Sequence, residues 1–198
     1  MFAEQNIIVT IGNYGAVVAL HEGDEIKTKI FLDELTDTVK ADLKENVFSK
    51  NSSAPIYVLL DTVDQSYKKK VYPSVRRGDL TRIIKRDMAS DGDKESMKNY
   101  ILLNPKKTPG AAKGSSARWE CLFISSSNSE MINKWISFLL DTSNRLIGVY
   151  MLPIETFSLF KLLKSNIKLQ SKIQDKKNDI YCLVMQNKVS GIRQVAFS

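Results

Sequence analysis

Residues that form disulfide bonds or bind zinc are scarce in this sequence, which has two cysteines and one histidine among 198 residues. Cys121 and Cys182 lie inside apolar, strand-like runs without Cys-x-x-Cys spacing. We therefore expect both to be buried, reduced thiols. His21 lies in a predicted turn and lacks the companion ligands that a zinc site needs. The sequence predicts no structural metal.

Long apolar runs are also absent. No run approaches the roughly 20 residues that span a bilayer, and residues 1–5 lack the positive region and apolar core of a signal peptide. We therefore expect a cytoplasmic chain. The strand-like pattern of residues 193–198 has no terminating signal, which leaves room for a downstream membrane segment. In that case the chain is the soluble part of a membrane protein.

Positive charge is unevenly distributed. The net charge is +7, but residues 1–65 carry 5 basic and 11 acidic side chains, whereas residues 66–118 carry 14 basic and 5 acidic ones. Residues 119–198 carry 10 basic and 6 acidic side chains. The basic side chains are therefore concentrated in the middle of the chain.

The sequence does contain an alternation of strand and helix patterns. Three apolar, β-branched runs predict an antiparallel meander over residues 6–12, 16–20 and 25–32. Ile26, Thr28 and Ile30 are expected to share the packed face of the third strand. After a helix capped by Asp33, the continuous apolar run 55–60 predicts a central parallel strand.

The later part of the chain continues this order. Strands are predicted at 66–72, 100–103, 118–125 and 147–152, and helices are predicted to start at Gly78, Asn128 and Pro153. A closing hairpin is predicted over 180–185 and 188–197. Apolar positions expected to face inward on the three helices are Leu80, Ile83, Ile84 and Met88, then Ile132, Trp135, Ile136, Leu139 and Leu140, then Phe157, Phe160, Leu163 and Ile167. Residues 89–98 and 104–117 look like exposed loops. The pattern predicts an α/β fold, a mixed β-sheet with flanking helices.

Catalytic patterns are incomplete. Asp61 and Asp64 follow the predicted buried strand, where a carboxylate pair could hold a metal, but the first strand supplies only Thr10 as a polar partner. A helix-cap or turn role for the pair is favoured. Residues 110–116 contain glycine and lysine without the spacing of a phosphate-binding loop. We expect no catalysis and no cofactor.

A set of basic side chains could form a face that binds a polyanion. Its members are Lys68, Lys69, Lys70, Arg76, Arg77, Arg82, Lys85, Arg86, Lys106 and Lys107. Tyr67 and Tyr72 are placed to stack on nucleic-acid bases. Such charge runs usually form a solvated face, and this set could equally contact an acidic protein surface or anionic lipid headgroups.

Residues 10–20, Thr-Ile-Gly-Asn-Tyr-Gly-Ala-Val-Val-Ala-Leu, resemble the opening of an actin-like (ASKHA) ATPase domain, as found in the pilus protein PilM and the secretion-platform protein GspL. Residues 71–86 and 135–155 are compatible with the same order. The resemblance implies an actin-like, RNase H-like first domain over 1–152, with a basic insertion around 66–117. The helix and hairpin of 153–198 would begin a second subdomain.

Two departures from that family bear on activity. Thr10 stands where the family has an aspartate before its first phosphate-contacting turn. The second phosphate turn would fall near residues 180–189, which offer neither the acid nor the glycine. The resemblance therefore implies a non-catalytic cytoplasmic scaffold of a type II secretion or type IV pilus inner-membrane platform, binding a motor ATPase or membrane subunits. A nucleic-acid-binding domain using residues 66–86 and a diverged ATP-binding protein are the alternatives.

The residues expected to bind the protein partner are those of the basic helix: Arg76, Arg77, Arg82, Lys85 and Arg86.

Overall fold

The computed structural model describes residues 4–73, 75–90, 96–103, 118–127, 129–166 and 181–197. Its contacts divide the chain into two compact units. The first unit is Met1–Val63 with Met131–Ser198, and the second is Asp64–Glu130. The second unit contains the region of the predicted basic insertion, 66–117. The unit bounds otherwise differ from the predicted domains, and a subdomain beginning at residue 153 stays a prediction.

The elements follow one another in the predicted order. The strands are β1 Gln5–Gly12, β2 Gly15–Glu22, β3 Glu25–Leu32, β4 Ile56–Asp61, β5 Gln65–Tyr72, β6 Met97–Leu102, β7 Trp119–Ser126, β8 Leu146–Met151, β9 Tyr181–Asn187 and β10 Gly191–Phe197. The helices are α1 Asp37–Leu43, α2 Arg77–Ser90, α3 Glu130–Leu140 and α4 Leu152–Asn166. A π-helical turn, Lys44–Phe48, and a 3-10 turn, Ser49–Asn51, extend α1.

The first unit is built on a five-stranded sheet with the order β3-β2-β1-β4-β8. β1, β2 and β3 form the antiparallel meander, and β4 lies parallel to both β1 and β8. The predicted α/β fold with a mixed sheet and a central parallel strand is confirmed. Because Gly12 of β1 is the partner of Asp61 of β4, the carboxyl ends of these two strands meet at one edge of the sheet.

One face of this sheet forms the main core. Alternate residues of β1 and β4 on that face are completely buried: Ile7, Val9, Ile11, Ile56, Val58 and Leu60. α1 with its two turns and α3 supply the apolar side chains that cover them, and the Phe48 and Phe138 rings meet edge to face at 5.7 Å. Burying a large apolar side chain contributes about 1.5–3 kcal/mol. These helices therefore stabilise the sheet mainly through this face.

Two details of these helices differ from the sequence predictions. Thr36, and not Asp33, caps α1, and its Oγ1 accepts a hydrogen bond from the Val39 amide at 3.3 Å. Leu32 still belongs to β3, so the chain needs the next residues to turn from strand to helix. In α3, Leu140 is exposed and Phe138 is buried. The buried stripe of α3 is therefore centred closer to Trp135 than predicted.

A β-bulge changes the face that Ile26 occupies. The pairing of β2 with β3 shifts between Leu20 and His21, so Thr28 pairs with Leu20 while Ile26 pairs with His21. A bulge adds a residue to one strand and moves the following side chains to the opposite face. The prediction that Ile26 shares a face with Thr28 and Ile30 is therefore wrong. His21 itself lies in β2 and not in a turn.

The second unit pairs a three-stranded sheet, with the order β5-β7-β6, with helix α2. Its core is a cluster of Tyr72, Leu80, Ile84, Cys121 and Phe123, with Ile83 and Met88 packed against it. The predicted inward positions of α2 are thus confirmed.

Tyr72 is buried in this cluster, and its hydroxyl donates to the Asp87 carboxylate at 2.9 Å. Burial, together with this hydrogen bond, raises the pKa of Tyr72. The prediction that Tyr72 is available to stack on a base is wrong, because the ring fills the space under α2.

The first unit is completed by α4 and the hairpin of β9 and β10. α4 contacts β4, β8 and β10. Its side chains Phe157, Phe160 and Leu163, like residue 167, lie outside the described part, as do residue 128 and the segments 91–95 and 104–117. Cys182 is exposed on β9, whereas Cys121 is buried, so the expectation of two buried thiols is wrong for Cys182.

Candidate functional site

Three chain segments meet where β1 and β4 end. They are the β1–β2 turn at Asn13 and Tyr14, the end of β4 at Asp61, and the β9–β10 turn at residues 188–190. The first two meet because β1 and β4 are parallel neighbours. In open α/β sheets this edge is where ligands and functional groups commonly lie.

Asp61 is the centre of this site. Its side chain is 1% exposed and forms an ion pair with Arg193, whose Nε donates to Oδ1 at 3.0 Å. The second carboxylate oxygen accepts a hydrogen bond from Asn187 Nδ2 at 2.6 Å. Burying a carboxylate costs a large desolvation free energy unless the group is paired with a cation and hydrogen-bonded. Both of its oxygens have such a partner here.

Arg193 also reaches the β1–β2 turn. Its Nη2 donates to the Asp61 carbonyl oxygen at 2.8 Å and to Asn13 Oδ1 at 3.1 Å. Asn13 Oδ1 accepts a further hydrogen bond from the Val63 amide at 3.0 Å. One guanidinium therefore joins β10, the end of β4 and the β1–β2 turn.

Ser190 completes the connections. Its hydroxyl donates to the Asp61 carbonyl oxygen at 2.5 Å, and its amide donates to Asn187 Oδ1 at 2.7 Å. We call Asn13, Asp61, Asn187, Ser190 and Arg193 together the turn latch. It holds two hairpin turns against the end of a central strand through polar contacts that are largely removed from solvent.

The two turns also touch through their backbones. The Tyr14 amide donates to the Val189 carbonyl oxygen at 2.8 Å, and Val189 is 1% exposed. A Cβ added to Gly12 would collide with that carbonyl oxygen and with Ser190 Oγ. A residue without a side chain is therefore required at position 12 for this close approach.

This arrangement limits what the site can do chemically. The two turns occupy the positions at which the family resemblance puts phosphate-contacting turns. In this structure the Tyr14 amide is used by the opposite turn, and the Asp61 carboxylate already has a cationic partner. Among the described residues, no group of three His, Cys, Asp or Glu side chains gathers as a metal site. The turn latch thus joins the two turns to the end of β4 through one ion pair and a set of hydrogen bonds.

The other predicted carboxylate has different contacts. Asp64 belongs to the second unit, where its Oδ2 accepts a hydrogen bond from Ser127 Oγ at 3.2 Å and its carbonyl oxygen accepts one from the Ser127 amide. Asp61 and Asp64 thus have separate hydrogen-bonding roles. The contacts of Asp64 agree with the turn role that was favoured for the pair, whereas for Asp61 that prediction is wrong, because its carboxylate lies at the end of β4 in a buried ion pair with Arg193.

The predicted partner-binding residues are all exposed. Arg82, Lys85 and Arg86 lie three and four residues apart on α2, opposite the buried Leu80 and Ile84. We call these three the α2 basic face. Arg82 lies 3.7 Å from Asp79, an exposed contact that neutralises little of its charge. Arg76 and Arg77 lie at the start of the helix, so the structure brings only three of the five predicted residues onto one face.

Two of the neighbouring lysines have other contacts. Lys69 pairs with Glu120 at 3.0 Å, and Lys70 Nζ lies 4.3 Å from the centre of the Phe123 ring. These lysines are therefore partly committed to their own sheet. The α2 basic face remains the most available group of cations among the predicted residues that the structure describes.

Sequence reasoning missed Asn13, Ser190 and Arg193. It placed the second turn within 180–189 and found no glycine there, whereas the observed turn is followed by Gly191, with φ of 73°. Arg193 is the one charged residue within Gly191–Phe197. A lone arginine in an otherwise uncharged strand is the signal that could have revealed a buried ion pair.

The sequence matches no protein-family model, and no curated protein is detectably similar to it. Solved structures do match. A chain of the PilM-PilN type IV pilus biogenesis complex has a TM-score of 0.57 at 9% identity, covering 96% of this chain and 61% of its own length. The cytoplasmic domain of EpsL, an inner-membrane component of the type II secretion system of Vibrio cholerae, has a TM-score of 0.52 at 8% identity, covering 98% of this chain and 71% of its own.

A Bacteroides thetaiotaomicron protein described as having an actin-like ATPase fold and unknown function matches at a TM-score of 0.44, which is too low to define a fold. This chain spans only 61% of the first match. Identities of 8–9% show the fold alone. The chain therefore has a mixed α/β fold like that of these pilus and secretion components, which confirms the predicted resemblance to the PilM and GspL type of domain at the level of the fold.

Proposed function

We propose that this chain is a non-catalytic cytoplasmic scaffold of a type II secretion or type IV pilus inner-membrane platform, where it binds the motor ATPase or membrane subunits. The fold likeness to a PilM-PilN complex chain and to the EpsL cytoplasmic domain supports a role of this kind. Across the described ranges, no helix has both the length and the apolar composition needed to cross a membrane. Attachment to the membrane would then come through the partners or through a segment outside these residues.

The ion pair between Asp61 and Arg193 is the observation that supports a non-catalytic role. For a nucleotide to bind at the two turns, its phosphates would need the amide that now bonds Val189, and its metal would need the carboxylate that now bonds Arg193. Separating a buried ion pair costs about 3–5 kcal/mol when one partner is left uncompensated. A nucleotide would have to supply that energy before it gained any affinity.

The α2 basic face is the proposed contact surface for the protein partner. Arg82, Lys85 and Arg86 are exposed, and the helix face on which they lie carries no large apolar side chain. Such a surface provides charge complementarity and a fast association rate. It fits an acidic surface on the partner.

A pull-down with the motor ATPase and platform subunits of the source cell tests this proposal. The variant Arg82→Glu, Lys85→Glu, Arg86→Glu is expected to lose the partner. Its matched control, Lys44→Glu, Lys50→Glu, Arg145→Glu, changes the net charge equally at exposed sites in the first unit and should retain the partner. Absence of any such partner for the unaltered chain, with secretion and piliation intact after gene deletion, would refute the scaffold role.

Nucleic acid is the competing partner for the same cations. Exposed Tyr67 beside the lysines of β5 favours it, although the buried Tyr72 removes one of the two expected stacking rings. Titration with labelled single and double strands at two salt concentrations separates the two functions. Phosphate contacts release counterions, so nucleic-acid binding must weaken steeply with salt. Tight, salt-dependent binding that the α2 triple variant abolishes would replace the scaffold proposal.

A further inference from the structure

An open groove lies on the side of the five-stranded sheet that faces away from the main core. Its volume is about 710 Å³, within the roughly 300–1,000 Å³ range of ligand pockets. The floor is formed by the side chains of β1, β2 and β3 that alternate with the core residues, and its ends by the start of α4 and the β9–β10 turn. The lining residues are Ile8, Thr10, Val17, Ala19, His21, Ile26, Lys29, Phe31, Leu59, Leu152 and Gln186 to Val189.

The lining combines apolar side chains with one sign of charge. Ile26 is 54% exposed and Phe31 is 36% exposed, both on the strand at the edge of the sheet. Lys29 and Lys188 are exposed at the rim, and the lining residues include no Asp or Glu. Lys188 Nζ lies 5.8 Å from the centre of the Phe31 ring, so cation and apolar surface are adjacent. An occupant must therefore offer apolar groups flanked by negative charge.

The layering of the fold indicates the shape of the occupant. On the core side of the sheet, helices cover the apolar residues. On the groove side, α4 contacts β4 and β8, and the described contacts give it no comparable packing on β2 or β3. Sheet faces in α/β proteins are commonly covered by helices, whose apolar stripe matches the flat sheet surface. A helix laid over β1 to β3 would extend the same layer.

We propose that this groove docks an amphipathic helix of a partner protein, with the apolar stripe of that helix on Ile8, Val17 and Phe31 and acidic side chains beside Lys29 and Lys188. This helix-in-groove mode uses a surface of the first unit, whereas the α2 basic face belongs to the second. The inference does not depend on the contact proposed for α2. It gives the chain a second site for holding a protein segment.

A labelled peptide of about four helical turns tests the groove. The probe carries leucines along one face and glutamates on both flanks, and a matched peptide carries lysines in place of the glutamates. Fluorescence anisotropy should show that the glutamate peptide binds the full chain at least about tenfold more tightly than the lysine peptide. The variant Lys29→Glu, Lys188→Glu should weaken the glutamate peptide about tenfold, and Phe31→Ala should weaken it severalfold.

The matched control is Lys50→Glu, Arg145→Glu, which changes the net charge equally at exposed positions outside the groove lining. It should leave the affinity within about twofold, since dispersed surface charge is screened at physiological salt. The proposal is overturned by absence of binding, by equal losses in the two double variants, or by an unchanged affinity in Phe31→Ala. Binding of dodecanoate in place of the peptide would show a site for a small amphiphile, and self-association lost in Lys29→Glu, Lys188→Glu would show a second copy as the occupant. Either result also overturns it.

Discussion

Asp61 shows how a single residue can change the meaning of a sequence pattern. Its position after a buried strand is typical of a catalytic or metal-binding carboxylate. In the structure it is 1% exposed, and Arg193 and Asn187 occupy both of its oxygens. A buried ion pair contributes little net stability compared with a well-packed apolar pair, but removing one partner leaves an uncompensated charge. The role of Asp61 is therefore tested best by removing its partner.

Arg193→Ala is expected to lower the free energy of unfolding of the first unit by about 3 kcal/mol, because Asp61 would remain buried without its cation. Urea unfolding followed by Trp135 fluorescence in a Trp119→Phe background measures this, since Trp119 belongs to the second unit. Arg145→Ala, at an exposed site, is the matched control and should cost under about 0.5 kcal/mol. A loss below about 1 kcal/mol for Arg193→Ala would mean that the turn latch does not hold the hairpin.

The two cysteines should differ in reactivity. Cys121 is buried, and burial raises the pKa of its thiol. The thiolate is the reactive form, so Cys121 should react slowly, because the reagent cannot reach it and because it stays protonated. Cys182 is exposed. Titration with a thiol-reactive chromophore at neutral pH should therefore label Cys182 quickly and Cys121 only after denaturation. In Cys182→Ser, rapid labelling of the folded protein would contradict this assignment.

Among single elements, the β9–β10 hairpin depends on a glycine in another strand. A Cβ at position 12 would collide with the Val189 carbonyl oxygen, whereas one at Gly78 in α2 would meet no atom within 4 Å. Gly12→Ala is therefore expected to cost about 2–3 kcal/mol and to speed hydrogen exchange in the hairpin. Gly78→Ala, the control, should raise stability by about 0.5–1 kcal/mol, because alanine favours the helix. A Gly12→Ala variant with unchanged exchange in β9 and β10 would show that the turns do not meet in solution.

The elements themselves were largely predictable, because their signals are local. The alternating run of β1, the continuous apolar run of β4 and the apolar spacing of α2 each follow from nearby residues. The Leu20/His21 bulge was not predictable, since it is a shift in the pairing of two strands. The cap at Thr36 was not predictable either, since it depends on where β3 ends. The turn latch joins Asn13 to Arg193, which lie far apart in sequence. No spacing rule connects such residues, so this part of the site needed the fold.

At the scale of the whole molecule, positive charge is concentrated on both proposed contact surfaces. The second unit carries the α2 basic face, and the groove of the first unit has Lys29 and Lys188 at its rim. The net charge of +7 adds a long-range attraction for acidic partners. This attraction speeds association and is screened over roughly 8–10 Å at physiological salt. A scaffold of this kind would gather its partners quickly and select between them by local contacts.

The turn latch also sets an expectation for the whole chain in the presence of nucleotide. Magnesium ATP is expected to leave the thermal midpoint unchanged, because the Tyr14 amide and the Asp61 carboxylate are already occupied. A ligand at a hundred times its dissociation constant adds about 2.7 kcal/mol, which would raise the midpoint of a chain of this length by roughly 5–10 °C. Thermal unfolding with magnesium alone, and with magnesium and ATP, measures the difference. A rise of that size that requires ATP would mean that the latch opens for nucleotide, and the diverged ATP-binding alternative would then replace the non-catalytic scaffold.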